Sequence, residues 1–243
     1  MRRLDQPPRF RTRRRFDYER RLLPNAYLAH LEPEGIEDPR IAARLFTGRT
    51  IGYPAWNLLY YSLMCSLPGP DPDDFSLLPN PLPGDCVVIE TGTNRGASTL
   101  TMAQALKDVN LDAVVQTVDL NEDILVYAKG NAYLAGLEDR IVFNHGDSIE
   151  FLRRKVEEVS HIDFIFLDDD HDGDHMFEEF SIVHPKLLVR GGTAYFDNTL
   201  EGGVAEALNK IKTEFGGNLV RFDNCSWGPP GNAIWQPDRP YQP

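Results

Sequence analysis

The 243-residue chain holds 37 acidic against 25 basic residues, with 42% hydrophobic and 26% charged residues overall, the balance of an ordinary globular protein with a packed core rather than a disordered or fibrous one. Its length suits one α/β domain with an N-terminal extension rather than two independent domains. Cys65, Cys86 and Cys225 stand far apart with no Cys/His grouping, no apolar run approaches the roughly 18 residues of a membrane span, and the Arg-rich start lacks the apolar stretch of a secretory signal; neither a disulfide framework nor a zinc site is indicated, and a soluble, cytoplasmic protein is expected.

Residues 1–21 hold nine arginines against Asp5, Asp17 and Glu19, a surplus of six positive charges that leaves the remainder at −18. Such an arm suits the acidic body of its own or a neighbouring subunit, so a homo-oligomer is expected, and the acidic body makes nucleic acid an unfavourable partner. Residues 1–80 read as this arm, a helical cap and a linker, ahead of a main domain over 81–243. Within the cap, Ile51–Leu67 is apolar on most faces after Pro54 and predicts a buried helix, with Tyr53, Trp56, Tyr60 and Tyr61 as candidates to line a substrate pocket. The Pro- and Asp-rich stretch Pro68–Asp85 predicts a surface loop.

From Cys86 onward short apolar runs alternate with helical stretches, which is the pattern of βαβ units. Strands are predicted at Cys86–Glu90, Val114–Asp119, Ile141–His145, Phe164–Asp168 and Thr193–Asp197. Helices are predicted at Ser98–Val109, Glu122–Ala135, Ser148–Val159, His175–Leu188 and Gly203–Phe215. Asn218–Asn224 and Gly231–Gln236 read as a closing antiparallel hairpin around a Trp227-Gly-Pro-Pro loop. The expected fold is a Rossmann-like, doubly wound, mostly parallel sheet with a C-terminal antiparallel hairpin and an N-terminal helical cap.

Three motifs carry chemistry. In VVIETGTNRGAS (Val87–Ser98) an acid ends a buried strand, and a Gly-rich turn leads into a helix N-terminus with free N–H groups. Gly92 and Gly96 would let the backbone approach a ligand. Asn94 stands where a dinucleotide turn wants its second glycine, and a carboxylate at Glu90 would repel a pyrophosphate while suiting the amino group or sulfonium of S-adenosylmethionine. In the second motif Asp119 ends the next strand, where an acid can take both hydroxyls of a ribose. Asp147 and Ser148 also read as an N-cap of the helix that follows. In the third motif Asp168, Asp169, Asp170 and His171 emerge at the end of the Phe164–Leu167 strand, while Asp197 and Asn198 end a neighbouring strand. Oxygen donors from adjacent strand ends make a site for a hard cation, magnesium, calcium or manganese rather than zinc. The bland alternative is a solvated acidic loop capping a helix.

From about Ile51 to Val204 these motifs together resemble class I S-adenosylmethionine-dependent methyltransferases, and within them the metal-dependent small-molecule O-methyltransferases, a group that takes in catechol, macrocin-type and novobiocin sugar O-methyltransferases, cephalosporin-hydroxylase-like proteins and methyltransferase family 24. The resemblance implies a methyl donor bound by Glu90, Gly92, Asn94, Gly96, Ser98, Asp119, Leu120, Asp147, Ser148 and Asp168, the residues after the third strand flanking adenine. It implies a divalent metal, magnesium first, on Asp168, Asp197 and Asn198. His171 stands where the catechol branch has lysine, and the run Asp168, Asp170, His171 is closer to the sugar and macrolide branch.

The expected reaction is in-line methyl transfer to a hydroxyl of a small molecule, a sugar, macrolide or other natural product, with His171 as general base and Asp170 as the alternative. His175 reads as a helix-face residue, and His145 and His161 as strand-flanking ones. Glu201, in the short loop after Asn198, is a candidate substrate contact. An NAD-dependent oxidoreductase would share the fold and Asp119 but gives no role to the acid cluster. A related hydroxylase-like or non-catalytic adenosyl-binding protein would keep the same motifs.

Overall fold

The computed structural model describes residues 55–67, 86–108, 111–222 and 231–238. The basic arm, the Pro68–Asp85 stretch, the Trp227 loop and Tyr53 lie outside the described residues, as do the side chains of Trp56 and Tyr61.

In chain order the elements are α1 (Ala55–Ser66), β1 (Val88–Thr91), α2 (Ala97–Asp108), β2 (Val115–Asp119), α3 (Glu122–Ala135), a 3-10 turn (Glu138–Arg140), β3 (Ile141–His145), α4 (Ser148–Glu158), β4 (Phe164–Leu167), α5 (Gly173–Arg190), β5 (Thr193–Phe196), α6 (Gly202–Phe215), β6 (Asn218–Phe222) and β7 (Asn232–Gln236). They form one seven-stranded sheet in the order β3-β2-β1-β4-β5-β7-β6. The first five are parallel, while β7 runs antiparallel to both β5 and β6. Strand order therefore reverses between β1 and β4, which is where an open α/β sheet leaves a crevice at its carboxyl ends.

The central strands are buried on both faces because their alternating side chains feed two apolar layers. Phe164 and Phe166 of β4 join Val88, Val115 and Tyr195 on the face covered by α1 and α2. Ile165 and Leu167 join Ile89, Phe196 and Trp235 on the face covered by α4, α5 and α6. There Phe180 meets the Trp235 ring edge-on at a 5.0 Å centroid distance, and the indole N–H donates to Gly216 O at 2.9 Å.

Helix α1 is buried as its apolar sequence predicts, with Ser66 Oγ donating to Thr193 Oγ1 at 2.8 Å on β5. Tyr60 is a correction: it is 1% exposed, its hydroxyl donates to Asp108 at the end of α2, and it belongs to the core rather than to a pocket. Helix α5 begins two residues before the expected His175. Asp172 Oδ1 accepts the N–H groups of Asp174 and His175 at 3.0 Å each and caps the first turn. Strands β4 and β5 stop one residue short of the expected ends, so Asp168 and Asp197 stand just beyond the ladder. Among the described residues no helix is long and apolar enough to cross a membrane.

Candidate active site

The turn after β1 is built around Gly92. Its φ is +82°, and a Cβ there would lie 2.0 Å from the backbone oxygen of Asp168, so a side chain is excluded by conformation and by contact together. Its N–H and that of Thr93 donate to Val118 O, which ties the turn to β2. Gly92 thus permits the close approach of the end of β4, while a Cβ on Gly96 would meet Ala128 of α3 at an ordinary 3.5 Å, so that at Gly96 it is the φ of +86° that calls for glycine. Asn94 is left-handed at φ 47°, a conformation asparagine tolerates, and its N–H donates to Asp119 Oδ2 at 2.8 Å. Asp119 Oδ1 accepts from Asn121 N at 2.8 Å, so the carboxylate is fixed by two backbone groups with further lone pairs free for a ligand.

Glu90 is fully buried at the end of β1 and accepts a hydrogen bond from Thr99 Oγ1, while Oε1 has no partner. Burial pushes its carboxyl up to about 7, against the opposing influence of the nearby Ser98, Thr117 and Thr99 hydroxyls. Ser98 is buried in the first turn of α2, within this same network. Asp147 caps α4 by accepting Glu150 N–H at 2.9 Å, and Ser148 behind it is buried. Leu120 is 67% exposed. Leu120, Asp147, Asp169, Asp170, His171 and His175 line one open cavity of about 490 Å³. The structure therefore brings Asp147, of the expected adenine-flanking residues, and the expected acid–base residues Asp170 and His171 to one depression.

On the other side of the β4 end, Asp168 faces His171, with Oδ1 3.6 Å from Nε2. Asn198, left-handed at φ 54°, points its amide Nδ2 at the same imidazole, and its buried Oδ1 has no hydrogen-bond partner. Asp197 accepts from Asn232 Nδ2 of β7. Burial and the neighbouring Asp168 hold the Asp197 carboxyl well above its usual range, and burial raises Asp168 as well. Two half-buried carboxyls that disfavour each other's charge, beside a buried amide oxygen with no hydrogen-bond partner, are a donor set that fits a hard divalent cation.

His171 Nδ1 lies 2.9 Å from Glu201 Oε2. The Asp168 hydrogen bond first, and then Glu201, outweigh burial and push the imidazole up to about 9. Glu201, the candidate substrate contact of the loop after Asn198, stands against this imidazole. Asp170 is exposed, its Oδ1 accepting Asp172 N–H at 3.0 Å. Sequence spacing gave no signal for the Glu201–His171 contact, nor for Asn232 supporting Asp197, since each joins elements distant in sequence.

The fold is that of the Rossmann-like methyltransferases. An O-methyltransferase from Bacillus cereus, solved in complex with SAH, superposes with a TM-score of 0.64 over 88% of this chain and 97% of that one, at 16% identity, a likeness of fold. Residues 74–228 match the profile of the O-methyltransferase family, and the chain belongs to it. An Arabidopsis thaliana protein carrying the name caffeoyl-CoA O-methyltransferase is 31% identical over 145 residues, which are 56% of this chain and 57% of that protein. Catechol O-methyltransferase B of Danio rerio is 30% identical over 128 residues, 51% of this chain and 47% of that protein. The chain thus spans about half the length of the curated relatives it matches.

Proposed function

We propose that the protein is an S-adenosylmethionine-dependent O-methyltransferase acting on a hydroxyl of a small molecule, assisted by a divalent cation, Mg2+ in the first place, on Asp168, Asp197 and Asn198. What supports this reading is that Asp168 on the one hand, and Asp197 and Asn198 on the other, directly follow the paired strands β4 and β5, with Asn198 Oδ1 buried and without a hydrogen-bond partner. The donor supplies an electrophilic methyl on a sulfonium, and the cation lowers the pKa of the acceptor hydroxyl.

The chain's own residues supply the rest. Glu90 and Ser98 serve the cationic amino-acid end of the donor, and Asp119 takes the ribose hydroxyls through its free lone pairs. Leu120, Asp147 and Ser148 flank the adenine, while Asn94 and Gly96 hold the turn in shape. His171 receives the hydroxyl proton in its neutral form, and because Asp168 and Glu201 hold the imidazole up to about 9 that form grows with pH, so turnover is expected to rise on the alkaline side; Glu201 orients the ring through Nδ1. Asp170, on the cavity wall, is the alternative acceptor.

The test is turnover with methyl-labelled donor and a panel of hydroxylated metabolites, with and without chelator. Asp168→Ala is expected to lower turnover by about 100-fold or more while S-adenosylhomocysteine still binds. Product formed at an undiminished rate in EDTA would refute the cation's part. A chain that binds S-adenosylhomocysteine but turns over no acceptor would be the adenosyl-binding alternative.

A further inference from the structure

Behind Asp168 the chain builds a second constellation. His175 and Glu179 sit one turn apart on the same face of α5, and Asp169 reaches them from the end of β4. The three donor atoms all lie within 4.8 Å of one another. His175 Nε2 is 3.5 Å from Asp169 Oδ2, 3.7 Å from Glu179 Oε1 and 3.0 Å from Ser148 Oγ, so one imidazole nitrogen faces three oxygens from three elements. A single N–H satisfies one of them. Both carboxylate distances are longer than the roughly 2.7–2.9 Å of a charge-assisted hydrogen bond. They are close to the edge of about 3.4 Å that ligands bonded at about 2.0–2.2 Å span in tetrahedral geometry.

Glu179 supplies the independent observation. It is 0% exposed, neither of its oxygens has a partner within hydrogen-bond distance, and the cationic group paired with it is His175, at 3.7 Å from Oε1. Burial favours the protonated form of this carboxyl, and its ionised form is held by a positive charge beside it, which a bound cation supplies at closer range than the imidazole does. His175 and Asp169 also line the open cavity, so an ion can reach the cluster from solvent.

We propose that Asp169, His175 and Glu179 bind a divalent transition-metal ion, Zn2+ by the best fit of donors, at a site separate from Asp168, Asp197 and Asn198. One imidazole with two carboxylates is a mixed nitrogen and oxygen set, which selects borderline ions over Mg2+. Ser148 Oγ or water completes the coordination. The ion joins the β4 end to α4 and α5, and so fixes the loop that carries Asp168, Asp170 and His171. The inference stands independently of methyl transfer.

The test is Zn2+ titration of the full chain by calorimetry in excess Mg2+, which fills the all-oxygen site, with Co2+ visible absorption as a second readout. One Zn2+ per chain is expected to bind, and Co2+ is expected to give the d–d spectrum of an imidazole-containing site. Glu179→Gln and His175→Gln are each expected to weaken Zn2+ by more than about tenfold, with Asp197→Asn leaving it unchanged. Metal-free thermal melts report whether each variant folds, and the wild-type Co2+ spectrum needs no variant. No stoichiometric Zn2+ uptake, uptake indifferent to both α5 variants, or uptake lost in Asp197→Asn would each overturn the proposal.

Discussion

Glu90 shows how one residue links pH, stability and cofactor. Its carboxyl sits near 7 in the folded chain against the usual 4.5, because burial disfavours the charge. The unfolded chain therefore releases this proton first as pH rises. Stability is unaffected below about 4.5, falls between about 4.5 and 7, and is flat above, a loss of about 3 kcal/mol from this group. Glu90→Gln removes that loss. In urea unfolding of the ligand-free protein, the variant is expected to match wild type near pH 4.5 and to exceed it by up to about 3 kcal/mol at pH 8. Equal differences at both pH values would show that Glu90 is not held protonated. On the proposed role of Glu90 at the cationic end of the donor, the variant is expected to bind S-adenosylhomocysteine more weakly even as it gains stability. Asn94 makes the complementary point. In the sequence it is a defect in a dinucleotide fingerprint, and in the structure its left-handed backbone aims an N–H at Asp119.

At the scale of elements, the active-site loops are held by the contact between the starts of α5 and α6. A Cβ on Gly173 would lie 2.4 Å from Gly203 O, and one on Gly203 would lie 2.6 Å from His171 O. Two bare backbones pressed together bring Glu201 to His171. Gly203→Ala must therefore push the loops apart, with an expected loss of about 1–3 kcal/mol in stability and a lower kcat. An unchanged Tm and kcat would mean that the contact is not maintained in solution. The helices and strands themselves were legible in the sequence: α3 and β3 match their predicted bounds, and the expected strands after Cys86 form within a residue or two, because apolar runs bounded by polar turns specify them locally. The early start of α5 was missed because Asp172 is one acid among several in Asp168–Asp174, and spacing alone does not say which one caps. Tyr60 was misplaced for a similar reason, as an aromatic stripe reads the same whether it faces a core or a pocket.

For the whole molecule, the parallel order β3-β2-β1-β4-β5 followed by an inserted antiparallel β7 places every candidate residue at one edge of the sheet. That edge was foreseeable, since acids and amides at strand ends converge there in any doubly wound sheet. What lay beyond the sequence was the sorting of the acid run between two histidines: Asp168 with His171, which Asn198 also meets, and Asp169 with His175 and Glu179. The most direct test of the central claim is equilibrium binding of S-adenosylhomocysteine and of NAD to the full chain, with Asp119→Ala as the control. The account predicts saturable binding of S-adenosylhomocysteine that Asp119→Ala weakens, with no binding of NAD. Saturable NAD binding without binding of S-adenosylhomocysteine would contradict it.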